Sequence, residues 1–450
     1  MQVSEALLEE KSVKRAFFDA PDAPDAPDGV DGDLPDWYTE ARVAAWKDYE
    51  EAPWPKRTDE AWRFADLKKL AFDDILDAGE VGEEDGAELI TRSTALEENA
   101  GRIILANDHL IADPLLDAEF AQKGVIFKPL SRALVEDTDL VRLSFMQEPA
   151  RHGSAKFAAL HRARLRDGIF LYIPKDVSLS RPVEVFHWLS GENAAIFPHS
   201  LIVSGPGSTA TIAEYIASAD RQPGFCGGVT DLVAGENSKL THVRTQNMSE
   251  NAHSLHVSSS LAAAGANIRS FVLNLGCQWS RSEFTARLNG EGASTDMLAV
   301  CLPENGQEMD MRTLQLHEQG HTTSNLLYKN ALYDEARTIF SGLIMVEEGA
   351  HHTDAYQTCR NLLMSDQCEA NSMPGLEINT DQVKCSHGST SGPITDEELF
   401  YLRARGISEP AARQLMTFGF VKGAVDGIGH DGLEKVVLEK IDRRFRRILS

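Results

Sequence analysis

The chain has little positive charge, few cysteines and no long apolar run. Its 450 residues carry 44 Lys and Arg against 69 Asp and Glu, a formal net charge of −25. Nucleic-acid binding without sequence preference needs a basic footprint, so no nucleic-acid partner is expected. A dense acidic surface favours solubility at the cost of self-repulsion. Clusters such as Asp73-Asp74 and Glu83-Glu84-Asp85 would suit a salty cytoplasm that screens this repulsion. No stretch of about 18 apolar residues occurs, so no membrane helix is expected. The start, Met1-Gln2-Val3-Ser4-Glu5, lacks the basic and apolar parts of a secretory signal, and a cytoplasmic location is the expectation. The six cysteines (Cys226, Cys277, Cys301, Cys359, Cys368 and Cys385) form no CxxC pair, which argues against a disulfide framework. No GxxxxGK[ST] loop is present, so the chain is expected to have no ATP site of its own.

What is present falls into three parts. Residues 1–165 read as a mostly helical N-terminal domain with a flexible Pro/Asp/Ala linker at 20–33, where a Pro-Asp-Ala unit repeats. Beyond the linker, Trp62 and Phe64 stand out as anchors onto the next domain. Residues 166–392 change texture to short β-branched and apolar runs broken by Gly, Asn, Asp and Pro. Thr209-Ala210-Thr211-Ile212-Ala213-Glu214-Tyr215 alternates as a strand with one buried face does. The absence of interleaved helices excludes a doubly wound α/β fold. A sandwich, a jelly roll and a parallel β-helix remain. Tight turns such as Asp167-Gly168 and Asn289-Gly290 are scarce, which leans toward the β-helix. Residues 393–450 return to helix. Thr395 and Glu398 form a capping box, and Gly406 stands where a C′ glycine closes the first helix. A second helix is predicted from Ser408 to Gly419. The third has an apolar stripe of Leu433, Val437, Ile441, Phe445 and Ile448.

Two motifs imitate other functions. His317-Glu318-Gln319-Gly320-His321 matches HExxH, but the flanks read as strand. There, residues four apart are about 13 Å from each other, too far to share one zinc. Gly205-Pro206-Gly207-Ser208-Thr209-Ala210 imitates a dinucleotide loop but leads into a strand, with no helix N-terminus to hold phosphate.

The chemistry concentrates late in the chain, in Cys359, Cys368, Cys385 and His387. On a strand Cys385 and His387 share a face, and thiolates and imidazoles are iron–sulfur ligands. The spacing fits no self-contained ferredoxin motif, which favours a transient site that borrows ligands from a partner. The competing reading makes Cys359 and Cys368 buried rung residues.

Val383-Lys384-Cys385-Ser386-His387-Gly388, Asn361-Leu362-Leu363-Met364-Ser365 and Asp59-Glu60-Ala61-Trp62-Arg63-Phe64-Ala65-Asp66-Leu67 resemble the SufD branch of the SufB/SufD family. These are scaffold subunits of Suf iron–sulfur assembly. The resemblance implies a mainly β fold, a right-handed parallel β-helix core flanked by N-terminal and C-terminal helical domains. It implies pairing with a SufB-type paralogue, and docking of a SufC-type ABC ATPase on the C-terminal helices. It implies a non-enzymatic role in which His387 faces the paralogue and helps hold a nascent cluster, with Cys385 secondary. The docking candidates are Glu397, Leu399, Phe400, Tyr401, Arg403, Arg405 and Phe418. Cys359 and Cys368 look SufB-like, whereas Gly388 replaces the glutamate SufB carries. A hybrid scaffold working as a homodimer, or a purely architectural subunit, are therefore the alternatives. A carbohydrate-acting β-helix enzyme would need a clustered set of carboxylates, which the strands lack.

Overall fold

The computed structural model describes residues 33–69 and 75–448. The linker at 20–33 lies outside the described residues except for Asp33, as do Asp73 and Asp74.

From Ile169 onward the chain alternates between two sheets. Ile169–Ile173, His199–Ser204, Gly224–Ala234, His253–Ala262, Trp279–Leu288, Glu308–His317, Arg337–Val346 and Glu369–Ile378 lie side by side in the first. Val183–Leu189, Thr209–Ser218, Lys239–Asn247, Asn267–Asn274, Ser294–Cys301, Thr323–Leu332, Asp354–Leu363 and Lys384–Pro393 make the second. Each of these strands pairs in parallel with the strand one coil away, not with its neighbour in sequence. That topology removes the sandwich and jelly-roll readings, which rest on antiparallel pairs. The result is a parallel β-solenoid of about eight turns flanked by helices.

Alternation decides which side chains fill the bore. In the second sheet Ile212, His242, Ser270, Met297, Leu326, Gln357 and His387 stack in one inward column. One corner recurs from coil to coil with positive φ, at Gly207, Asn237, Gly265, Gly292, His321, His352 and Gln382. Glycine holds that conformation at no steric cost, whereas the two histidines are held there at a cost of about 1 kcal/mol or more each.

The N-terminal region is less helical than its sequence suggests. Helices Asp36–Glu51 and Ala155–Arg164 are present, but Gly101–Ala106 joins the second sheet beside Val183–Leu189. Ile126–Pro129 joins the first, antiparallel to Ile169–Ile173. Gly101–Ala106 is buried on nearly all sides and Ile126–Pro129 is only four residues long, so neither carries a periodicity that separates strand from helix. Trp62 is the anchor expected of it. It is buried, stacks on Trp279 at 6.4 Å and lies 3.9 Å from the Arg281 guanidinium. Arg281 is fully buried against Glu283 (2.7 Å) and Asp310 (2.6 Å), and donates to the carbonyls of Ala61 and His152. Phe64 is only half-buried, with φ +70°.

The C-terminal helices fold back over the outer face of the second sheet. The stripe Leu433, Val437, Ile441 and Phe445 packs with Val421 and Val425 against Tyr215, Val243, Phe271 and Leu298. The second helix runs Glu409–Val425, past the predicted stop at Gly419, which faces open space. The packed stripe carries it onward. Ser408 makes no side-chain cap, whereas the Thr395–Glu398 capping box is complete. Arg444, near the end of the third helix, is buried against Glu304 at 2.8 Å.

Candidate functional site

The last strand, Lys384–Pro393, pairs on one edge with Asp354–Leu363, and its other edge has no strand partner among the described residues. Glu369–Ile378 ends the first sheet in the same way. The final coil is therefore an open mouth with two free edges of ten residues each.

Register fixes what faces into that mouth. Cys385 lies beside Ala355, His387 beside Gln357, Ser389 beside Cys359 and Ser391 beside Asn361. Asn361 donates to the Ser391 hydroxyl at 3.0 Å, so this set points inward. His387 is exposed because no further coil covers it. Cys385 is half-buried against Ile344, Val346, Ala350 and Ala355, and burial pushes its thiol pKa up. Its thiol thus needs a metal or a cation beside it to ionise near neutral pH.

Cys359 sits one rung deeper and is sealed. Its sulfur lies 3.6 Å from Asn330 Nδ2 and 3.8 Å from Asn361 Oδ1, and burial pushes its pKa up to about 12. Strand geometry puts its Cα about 8 Å diagonally from that of His387 on the same inward face. Cys368 stands apart. It precedes Glu369–Ile378 at the far end of these strands, its thiol donating to the Ser365 carbonyl at 2.9 Å. The structure brings Cys385, His387 and the buried Cys359 into one neighbourhood and leaves Cys368 outside it. Among the described residues no three His, Cys, Asp or Glu side chains are already disposed around an ion.

Sequence reasoning missed the polar column beneath the mouth: Asn274, Cys301, Asn330, Asn361 and Ser391 on successive rungs. Asn330 donates to Asn361 at 2.7 Å, and Cys301 is buried with its thiol pKa pushed up to about 12. The signal was present in the sequence, as Asn or Cys recurring at intervals of about one coil, but it needs the register to be seen.

The two motif impostors resolve as expected. His317 ends a strand, is buried, and hydrogen-bonds Thr322 (2.7 Å) and Ser324 (2.8 Å), while His321 sits at the corner. Residues 205–208 form a turn between coils, with Gly207 at φ +67°.

A second surface lies on the C-terminal helices. Phe400 is 72% exposed, Tyr401 57% and Leu415 54%. Large apolar side chains this exposed are candidates for a contact surface. Arg405 covers the Tyr401 ring at 3.6 Å, Arg403 pairs with Glu409 at 3.4 Å, and Glu397 is exposed. Leu399 instead turns inward and is buried, so it acts as a strut. Phe418 is half-buried in a groove of about 480 Å³ beside Leu438 and Asp442. Leu415 was not among the residues anticipated, although it falls off the buried stripe of Ala412, Val421 and Val425.

No helix of the described residues is long and apolar enough to cross a membrane. The sequence matches the family model for the SUF system FeS cluster assembly SufBD core domain over residues 187–420, and that for the SufBD protein N-terminal region over residues 30–185. The iron–sulfur cluster assembly protein SufD of Bacillus subtilis is 27% identical over 418 residues, covering 92% of this chain and 95% of the relative. SufD of Escherichia coli is 30% identical over 363 residues, covering 74% and 86%. A SufBD family protein of Synechocystis is 27% identical over 408 residues, covering 88% and 87%. With matched models spanning nearly its whole length and relatives aligned almost end to end, the chain belongs to the SufBD family of iron–sulfur cluster assembly proteins.

Proposed function

We propose that this chain is a non-enzymatic, cytoplasmic scaffold subunit that pairs with a SufB-type paralogue through its open solenoid end. His387 and Cys385 contribute ligands to a cluster held transiently between the two subunits, with Cys359 in reserve one rung below. The observation that carries this reading is the orientation of Cys385 and His387, which face the bore from a last strand with a free edge. A free ten-residue edge is a template for another strand, and a partner docked there would face both side chains. Imidazole and thiolate then supply two of the ligands a cluster needs, and the partner supplies the rest.

The exposed Phe400, Tyr401 and Leu415 would receive a SufC-type ATPase, to which ATP hydrolysis belongs. Dimerisation of that ATPase would pull on the helical tails and open the interface to iron and sulfide. In this arrangement Cys368 has no part in the cluster.

Co-purification with the paralogue and ATPase, then anaerobic reconstitution with iron and sulfide, tests the reading. His387→Ala should lose most of the cluster absorbance while the complex stays intact. Cys359→Ser should lose less. Normal iron and sulfide uptake by His387→Ala and Cys385→Ser together would leave the chain purely architectural.

A further inference from the structure

The false HExxH motif leaves a residue that the cluster reading does not use. His321 does not meet His317, but it does meet a histidine of the next coil. The rings of His321 and His352 lie 4.7 Å apart, tilted by 33°, on adjacent rungs of the same corner. Both backbones have positive φ (58° and 61°), at positions where earlier coils place Gly265 and Gly292. Histidine at such a position is uncommon, and two in register are a reason to look for a use.

The corner is rigid. The N–H of His321 donates to the carbonyl of His351 at 2.8 Å, and that of His352 to the carbonyl of Gln382 at 2.9 Å. The two imidazoles are thus held one rung apart by main chain. They line a cleft of about 400 Å³ together with Glu291, Gln319, His351 and Gln382. His351 Nδ1 lies 3.1 Å from the carbonyl oxygen of Asp381, which can only accept. The Thr380 hydroxyl lies 3.0 Å from the same nitrogen and can accept or donate. In the tautomer whose Nδ1 donates to the carbonyl, Nε2 keeps its lone pair. A histidine whose second ring nitrogen donates to a carbonyl is in the state metal ligands adopt.

We propose that His321 and His352 chelate a divalent first-row transition-metal ion at this corner, with His351 or Glu291 turning in as a third ligand and water completing the shell. Imidazole with carboxylate and water suits Zn(II), Fe(II), Co(II) and Ni(II), whereas an oxygen-preferring Mg(II) or Ca(II) would be poorly served. Two ligands are in register, and the third must rotate into place, since no three are disposed around one point. The site is distinct from the cluster neighbourhood: the corner residue Gln382 precedes Cys385 by three positions and His387 by five, about 10 and 16 Å along an extended chain. It can therefore fail while the cluster reading stands.

The test is titration of Zn(II) into the full chain, followed by calorimetry and thermal melting. One ion is expected to bind and raise the melting temperature. His321→Gly and His352→Gly place at the corner the residue earlier coils carry, so the metal-free melting temperature should not fall. Each should weaken binding about tenfold or more, an effect of the size seen when a metal site loses a supporting group. His351→Ala should cost less, and Cys385→Ser with His387→Ala should leave the site intact. Three outcomes would overturn the proposal: no ion bound by the wild type, unchanged affinity in both glycine variants, or loss of the ion with Cys385→Ser and His387→Ala instead.

Discussion

The two ends of the solenoid handle their strand edges in opposite ways. At the start, the first sheet finishes on Ile126–Pro129, only four residues long and closed by a proline. Gly101–Ala106 is flanked antiparallel by the two-residue strands His109–Leu110 and Leu115–Leu116. Phe120, on the short helix Ala118–Gln122, packs with Val125 and Phe127 into the core and plugs the bore. Short strands, proline and a covering helix are how proteins blunt an edge. At the finish none of these devices closes the mouth. Two ten-residue edges stand free, with Pro374 inside one and Pro393 only at the end of the other, and the inward residues are a thiol, an imidazole and two serines. One end spends its residues on stability, and the other leaves them available to a partner.

Four measurements break or sharpen that contrast. The largest effects are expected away from the open mouth. Arg281→Met leaves Glu283 without its cation beneath Trp62, while Asp310 keeps Arg312 at 2.6 Å, and should cost about 3 kcal/mol in denaturant unfolding. Phe120→Ala opens a cavity in the plug and should cost about 3 kcal/mol, read as a lower midpoint at unchanged slope. A pH series comes next. Burial lowers the His317 pKa from 6.5 to about 4. The folded state therefore keeps this ring neutral where the unfolded chain protonates it, and stability falls as pH drops through that window, by about 3 kcal/mol when complete. A His317→Gln chain should show a flatter decline between pH 6.5 and 4. The smallest stability effect is expected at the open mouth. Ser389→Lys, an inward charge beside the free edge, should change monomer stability by no more than about 0.5 kcal/mol. It should nonetheless abolish pairing with the paralogue in size-exclusion chromatography. A large loss of monomer stability there would erase the distinction between the ends.

Much of the solenoid was legible because one face of each strand is apolar. Thr209–Tyr215 matches all but the last three residues of its strand. Asp354–Leu363 was not read as a strand, because Gln357 and Asn361 point inward and break the alternation. Gly224–Ala234, in the other sheet, was missed for a related reason. Gly227 and Gly228 interrupt the pattern, Gly228 because the His256 ring occupies the space a Cβ would need. Sequence placed Cys385 and His387 on one face, and register agrees. It left open whether Cys359 is a ligand or a sealed rung residue, since which coil is last depends on where pairing stops. Leu399 shows the same limit in a helix. Its neighbours Phe400 and Tyr401 face solvent, whereas Leu399 is buried on a helix that packs on Glu409–Val425.

The asymmetry of the rod has an effect on assembly size. A solenoid with both mouths free would polymerise head to tail into filaments, because each added copy would offer a fresh template. Here the plug around Phe120 removes one of the two templates. Growth by edge pairing would therefore stop once two open mouths had met, and such an association would limit itself to a pair.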